Sequence, residues 1–255
     1  MVWMSKRIGR ILEFAKDFLA PRRCPLCGEI IWSKKPCFWC SSCWENLPWL
    51  KPPFCSKCGD PFYIFPVENR SEELSLCGEC LTTSPPYDMI RSACVYDGIV
   101  AKLITGLKYG KRLYDVPSLG ELLGEAIFRW LREETIDLIV PIPMHIDKLK
   151  ERGFNQSVLL AKDLAKRVGI PWNRSVLVKI RNTPPQVRLH KTARKKNLKG
   201  AFAVHELWSS RLSGTTVLLV DDVITTGSTI LECAKILKKA GASKVIGLSV
   251  ARTRT

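Results

Sequence analysis

The sequence predicts an α/β protein, a parallel sheet with helices on both faces, preceded by a small cysteine-rich metal-binding module. Apolar runs of strand length alternate with amphipathic helical stretches from residue 89 onward, and four CxxC pairs stand before residue 81. Alternating strands and helices are typical of parallel sheets. We expect three parts: an N-terminal helix over residues 1–20, a double zinc ribbon over 21–84 and an α/β domain over 85–255.

Composition and charge narrow the class of protein. The chain has 255 residues, 46% of them hydrophobic, which supports a buried core and excludes global disorder. Its net charge of +16 and pI of about 9.5 favour polyanions: nucleic acids, anionic membranes or phosphorylated small molecules. The sequence shows no apolar run of transmembrane length and no convincing signal peptide. We expect a cytoplasmic protein.

The N-terminal stretch has the spacing of an amphipathic helix. Its apolar face would consist of Ile8, Ile11, Leu12, Ala15 and Leu19. We interpret this helix as one that packs on its own protein. The alternative is association with a membrane surface, because the polar face of the helix is basic.

The next segment contains the four CxxC pairs. A CxxC turn directs two thiolates at one tetrahedral centre, so two pairs complete a zinc site, and zinc would supply much of the folding free energy of so short a segment. We predict two structural zinc ions, with the pairs combined in sequence order. Interleaved pairing and disulfides are the alternatives, and Cys37 could compete for the first site. The predicted ligands are Cys24, Cys27, Cys40, Cys43, Cys55, Cys58, Cys77 and Cys80.

Beyond the boundary at Ser84-Pro85-Pro86, strand and helix patterns alternate. The predicted strands are short, apolar and rich in β-branched residues, whereas the predicted helices carry apolar residues three or four positions apart. Strands are predicted over residues 89–96, 137–143, 217–220 and 245–250, and helices over 99–109, 118–134, 155–168 and 230–239.

Residues 217–229 predict the functional site. The apolar strand ends in Asp221 and Asp222, at the edge where α/β sheets bind ligands. A helix follows the loop, and its N-terminal N–H groups and dipole favour an anion. The acids suit two vicinal ribose hydroxyls or a hydrated divalent cation. An ordinary strand and helix cap is the alternative. The predicted phosphate-binding loop consists of Thr225, Thr226, Gly227, Ser228 and Thr229.

A basic loop is predicted after the strand over residues 137–143. It contains His145, Lys148 and Arg152. Such a loop suits an anionic leaving group, because negative charge develops on the oxygens of that group as its bond breaks. The guanidinium of Arg152 can bind two of those oxygens at once. For Lys148, a solvated surface turn is the alternative.

The segment from Leu164 to His205 contains eleven Lys and Arg residues and no Asp or Glu. A solvated surface loop is the ordinary explanation of such a charge run. Because the charge is entirely of one sign, we favour a polyanion partner. The residues predicted to bind it are Arg188, Lys191, Arg194, Lys195, Lys196 and Lys199.

The segment 217–229 resembles the phosphoribosyl pyrophosphate (PRPP) motif of type I phosphoribosyltransferases. That resemblance implies that Asp221 and Asp222 contact the ribose hydroxyls and that residues 225–229 surround the 5′-phosphate. It also implies that His145, Lys148 and Arg152 lie on the side of the departing pyrophosphate and that Mg²⁺ accompanies PRPP. The predicted catalytic residues are Asp221, Asp222 and Arg152.

The longer pattern resembles the ComF family of competence proteins. The resemblance implies a double zinc ribbon followed by a type I phosphoribosyltransferase domain. It also implies a role in natural transformation, with single-stranded DNA and other competence proteins (a helicase, processing factors) as partners. Besides the CxxC pairs and the acidic loop, the residues that carry the resemblance are Lys108-Tyr109, Val140-Pro-Ile-Pro143, Arg152-Gly-Phe-Asn-Gln156 and Asn197-Leu-Lys-Gly-Ala-Phe202.

Two functional hypotheses follow. In the first, the chain handles DNA: the basic segment binds single-stranded DNA, and the loop binds PRPP or a DNA end. In the second, the chain is an active phosphoribosyltransferase that transfers ribose 5-phosphate from PRPP to an amine or a base.

Overall fold

The computed structural model describes residues 21–31, 37–62, 75–183 and 198–253. The predicted N-terminal helix lies outside these ranges. The chain divides into two compact units, Met1–Leu47 and Pro48–Thr255. Within the described ranges, no helix combines the length and the apolar character needed to cross a membrane. Also outside the described ranges are Arg188, Lys191, Arg194, Lys195 and Lys196.

The larger unit is built on the predicted parallel sheet. Four parallel strands lie in the order β1-β6-β5-β2, and two short antiparallel strands, β3 and β4, pair separately. The strands are β1 (Met89–Val95), β2 (Leu138–Pro141), β3 (Leu177–Lys179), β4 (Phe202–Val204), β5 (Thr216–Ile224) and β6 (Lys244–Arg252).

The helices of the described residues range from a single turn to four turns. Leu113–Asp115 and Glu206–Trp208 form short 3₁₀ turns. The helices are α1 (Ser41–Glu45), α2 (Gly78–Thr83), α3 (Gly98–Gly110), α4 (Val116–Trp130), α5 (Ile146–Arg152), α6 (Gln156–Val168) and α7 (Ser228–Lys239).

Helices cover both faces of the sheet. Side chains alternate along a strand, so Val217 and Leu219 of β5 point to one face, and Leu218 and Val220 point to the other. All four are fully buried. The first pair lies in one apolar cluster with residues of α7, including Ile230. Helices α4 and α6 pack against each other and against strands of the sheet. The continuous apolar run of β5 follows from burial on both sides.

Two predicted elements differ in extent or type. Strand β5 continues to Ile224, so Asp221 and Asp222 lie within the strand rather than after it. The basic residues predicted as a loop instead form helix α5, which begins after His145. The imidazole Nδ1 of His145 caps this helix by accepting a hydrogen bond from the backbone N–H of Asp147, 3.3 Å away. This helix has seven residues, about two turns, so it contains no long apolar repeat for a sequence pattern to detect.

The second group of cysteines belongs to the larger unit and covers the edge strand β1. The backbone N–H of Ile90 donates to the Lys57 carbonyl at 2.7 Å, in the turn between Cys55 and Cys58. At the end of β6, Arg252 is 5% exposed and donates to the Cys58 carbonyl at 2.9 Å. An uncovered edge strand presents backbone groups for aggregation, and this turn satisfies some of them.

The close approach of this turn to β1 requires glycine at position 59. Its φ of +69° lies in the left-handed region, and a Cβ added there would stand 2.5 Å from the Ile90 carbonyl oxygen. We predict that Gly59→Ala lowers the free energy of unfolding by about 1–3 kcal/mol more than Gly169→Ala does, because overpacking adds to backbone strain. Gly169 is the matched control, with a φ of +72° and no atom within 4 Å of an added Cβ. Urea denaturation of the zinc-loaded variants measures the difference, and equal losses would show that the close approach is not limiting.

Candidate functional site

A pocket of about 680 Å³ lies at the carboxyl ends of the four parallel strands. Each strand contributes to it: Tyr96 follows β1, Ile142 follows β2, Thr253 follows β6, and Asp221 stands near the end of β5. This is the edge at which open α/β sheets bind ligands. The predicted acids, most of the predicted loop and the predicted basic residues therefore converge on one cavity.

The loop after β5 presents a helix N-terminus to the pocket. Gly227, with a φ of +72°, is the residue immediately before α7. The start of α7 therefore lines the cavity, where the helix dipole favours an anion. Thr225, Gly227, Ser228 and Thr229 line the pocket. Thr226 is not among the lining residues; its hydroxyl oxygen lies 2.8 Å from that of Ser228.

The two acids have different environments. Asp222 is 3% exposed. Its Oδ2 lies 2.7 Å from Lys108 Nζ, and its Oδ1 accepts a hydrogen bond from the backbone N–H of Val223 at 2.7 Å. Asp221 is only half-buried, and its Oδ1 accepts from the Ser157 hydroxyl at 3.0 Å. Burial, and then the negative charge of Asp222, raise the pKa of Asp221 to about 7.

Helix α5 and its cap bring the predicted basic side chains to the lining of the pocket. Lys148 Nζ donates to the Thr183 carbonyl at 3.3 Å. Arg152 Nη1 donates to Gln156 Oε1 at 2.8 Å, and its guanidinium carbon lies 5.4 Å from the centre of the Tyr109 ring. His145 also lines the pocket while it caps the helix. The three residues are thus held by their neighbours in the same cavity as the acids.

The sequence does not indicate several of the pocket residues as site residues. Lys108 enters the sequence analysis only as one of the residues that carry the family resemblance. Ser157 lies on α6, and Lys179 lies on β3. Lys179 pairs in register with Phe202, another pocket residue, and its Nζ donates to the Thr183 hydroxyl at 2.9 Å. A lysine directly after two apolar residues in a short β-branched run is the one sequence feature that could have indicated Lys179.

Lys179 is a pH-sensitive cation. Burial, and then the nearby charge of Lys148, lower its pKa from 10.5 to about 8. The ammonium form is therefore dominant below pH 8 and is lost as the pH rises through that value.

We predict that affinity for inorganic pyrophosphate falls about three- to tenfold between pH 7 and pH 9, because one cation of the pocket is neutralised. In Lys179→Arg the fall should be smaller, because a guanidinium stays protonated throughout and only the ionisation of Asp221, whose pKa is about 7, still adds negative charge to the pocket. Calorimetry measures the affinity of both proteins at the two pH values. Because pyrophosphate itself titrates equally in both experiments, the difference between the two proteins is free of that effect. Parallel falls in both proteins would mean that Lys179 does not carry the effect.

The cysteines form the two predicted tetrads in sequence order. Within each tetrad the four Sγ atoms lie within 4.8 Å of one another: Cys24, Cys27, Cys40 and Cys43 in the smaller unit, and Cys55, Cys58, Cys77 and Cys80 in the larger one. Cys27 Sγ and Cys40 Sγ are 3.6 Å apart, as are Cys58 Sγ and Cys77 Sγ. Four thiolates bound tetrahedrally at about 2.3 Å have similar separations, so both tetrads fit zinc. Cys37 belongs to neither tetrad.

Backbone groups support both tetrads. The N–H of Cys43 donates to Cys40 Sγ at 3.4 Å, and the N–H of Cys77 donates to Cys55 Sγ at 3.3 Å. Such donors stabilise thiolate charge and orient the sulfur atoms. These are structural sites, because four cysteines leave no open coordination position for a substrate.

Comparison with known proteins agrees with the fold and the tetrads. Residues 15–86 match the double zinc ribbon domain, and residues 111–254 match the phosphoribosyl transferase domain. The molecule is thus a phosphoribosyltransferase-type domain joined to a double zinc ribbon. The chain belongs to the ComF family of proteins.

Two relatives and one solved structure illustrate the similarity. Competence protein F of Haemophilus influenzae is 31% identical over 84% of this chain and 97% of its own. DNA utilization protein YhgH of Salmonella typhi is 35% identical over 69% of this chain and 78% of its own. The adenine phosphoribosyltransferase (APRTase) of Giardia lamblia, solved with 9-deazaadenine, is 19% identical over 56% of this chain and 83% of its own, with a TM-score of 0.37.

Proposed function

We propose that this protein binds PRPP, or a related phosphorylated ribose, together with Mg²⁺ in the pocket, and that it acts in DNA uptake with single-stranded DNA as its partner. The observation that carries the first half is the convergence of an acidic strand end, a helix N-terminus and a basic helix on one cavity of about 680 Å³. The second half is supported by the names of the relatives, a competence protein and a DNA utilization protein, and by the basic segment.

Each part of a phosphoribosyl ligand has a complementary wall. The 5′-phosphate would lie against residues 225–229, where the start of α7 supplies N–H donors. The ribose hydroxyls would face Asp221. The pyrophosphate would extend toward Lys148, Arg152 and Lys179, which lie on the basic side of the cavity. Mg²⁺ would be held between Asp221 and pyrophosphate oxygens and would neutralise part of the pyrophosphate charge.

PRPP binding depends on the acidic strand end. We predict that the double variant Asp221→Asn/Asp222→Asn weakens PRPP binding in the presence of Mg²⁺ at least about tenfold, because a charge-assisted contact to hydroxyl or metal is lost. Asp147→Asn is the control, because Asp147 lies on α5 but does not line the pocket. The affinity of this variant for PRPP should match that of the wild-type protein. Isothermal titration calorimetry measures both. Absence of heat with the wild-type protein would remove the phosphoribosyl part of the proposal.

The DNA part concerns Arg188, Lys191, Arg194, Lys195, Lys196 and Lys199. Of these, Lys199 is described, and it is exposed. A chain that neutralises about six phosphates of a single strand should lose roughly 10²–10³-fold in affinity between 50 and 200 mM salt, since each contact releases a counterion.

Charge reversal at Arg194, Lys195 and Lys196 should weaken oligonucleotide binding at least about tenfold and flatten the salt dependence. Reversal at Lys51, Lys102 and Lys162 gives the same change in net charge on exposed surface outside both the basic segment and the pocket lining, and it should have a much smaller effect. Fluorescence anisotropy with a labelled single strand measures these affinities. A loss that is equal in both triple variants would indicate a response to net charge and not to the segment.

A second candidate function is phosphoribosyl transfer, favoured by the three cations on the pyrophosphate side. A nitrogen of an amine or base would attack C1 of the ribose as the C1–O bond to pyrophosphate breaks. Pyrophosphate would leave with its negative charge stabilised by Lys148, Arg152 and Lys179, and the proton of the attacking nitrogen would pass to solvent. Pyrophosphate release with a panel of bases and amines tests this reaction; binding of PRPP without release would leave the site as a ligand sensor.

A further inference from the structure

The two carboxylates of the acidic pair are unequal in what they can offer a ligand. Both oxygens of Asp222 are engaged, one by the Lys108 ammonium at 2.7 Å and one by the backbone N–H of Val223 at 2.7 Å. The residue is 3% exposed. Both acids line the cavity, but Asp221 is half-buried, and the hydrogen bonds that it accepts from the Ser157 hydroxyl and the backbone N–H of Asp222 both go to Oδ1. A sequence pattern of two adjacent acids does not show this division.

Lys108 is held in place by the rest of helix α3. Its neighbours on the helix, Val100, Leu103, Ile104 and Leu107, are fully buried. The Lys108 side chain is 21% exposed and also lines the pocket. Burial acts to lower the pKa of Lys108, but the negative charges of Asp222 and Asp221 outweigh this effect, so the pKa is raised and the side chain is an ammonium.

We propose that Lys108 acts as a built-in cation of the pocket: it neutralises and immobilises Asp222, so that Asp221 alone presents its carboxylate to the ligand. Lys108 is therefore a positioning residue. The inference rests on the proposed phosphoribosyl site for its role in ligand binding. The charge balance between Lys108 and Asp222 can be tested without that ligand.

The consequence is a limit on metal binding. Two adjacent carboxylates without a compensating cation attract a divalent ion strongly, since oxygen ligands and negative charge are what Mg²⁺ and Mn²⁺ require. With Lys108 in place, one of the two charges is already balanced. The pocket alone should then bind a divalent cation weakly, and the cation should enter together with the oxygens of a phosphorylated ligand.

The test is Mn²⁺ binding to the zinc-loaded protein without PRPP, followed by electron paramagnetic resonance. Lys108→Met should bind Mn²⁺ at least about tenfold more tightly than the wild type, because it leaves Asp222 without its balancing charge. Lys108→Met/Asp222→Asn removes both charges and should return to the weak binding of the wild type. If Lys108→Met does not fold, Lys108→Gln replaces it, because its amide can still donate to Asp222 without carrying charge.

Two results would overturn the inference: unchanged Mn²⁺ affinity in the single variant, or affinity in the double variant as tight as in the single one. A merely structural ion pair would lower the melting temperature of Lys108→Met without changing its Mn²⁺ affinity. Calorimetry with PRPP tests the proposed function, whereas the Mn²⁺ series tests the role of Lys108. A wild-type protein that binds no PRPP contradicts the proposed function and leaves the Mn²⁺ series decisive for Lys108, whereas PRPP binding with equal Mn²⁺ affinities contradicts only the role of Lys108.

Discussion

The site depends on a difference in length between two neighbouring strands. Strand β5 pairs with β2 only as far as Val220, but it pairs with β6 as far as Ile224. The last residues of β5 therefore border a cavity where β2 has ended, while β6 still holds their backbone. Asp221 and Asp222 are consequently carried by rigid sheet rather than by a loop, which is the more accurate way to position a functional group.

The second cysteine tetrad supports this arrangement through Ile90. The backbone N–H of Ile90 bonds to the turn between Cys55 and Cys58, and its side chain packs 3.5 Å from the position of a Cβ on Gly227 in the phosphate loop. Ile90, Cys55, Cys58 and Ile230 share one buried cluster. The turn of the tetrad, the edge strand and the predicted phosphate-binding loop are therefore packed one against the next. In this unit the tetrad supports the strand against which that loop packs.

The sequence predicts the contiguous features well and the dispersed ones poorly. The strands and the tetrads are each marked by residues close together in the chain, so composition and spacing are sufficient to recognise them. Lys108, Ser157 and Lys179 come from three separate elements; in the folded sheet Lys108 contacts Asp222, Ser157 contacts Asp221, and Lys179 lines the same pocket. Helix α5 and strands β3 and β4 are too short for a periodic pattern. The difference between the two acids, with Asp222 paired to Lys108 and Asp221 half-buried, depends on the surroundings of each side chain and therefore on tertiary structure.

Strands β3 and β4 give the basic segment a fixed origin. The chain leaves the pocket wall at Lys179 and returns to it at Phe202, and these two residues pair directly. A nucleic acid bound by the residues between them would thus be tethered beside the cavity. Its phosphorylated end would meet the pocket as an intramolecular partner, at an effective concentration on the order of millimolar. The contact of the basic segment with the strand and the contact of the pocket with its phosphorylated end, each weak alone, would then together give a higher affinity for the end of a single-stranded nucleic acid.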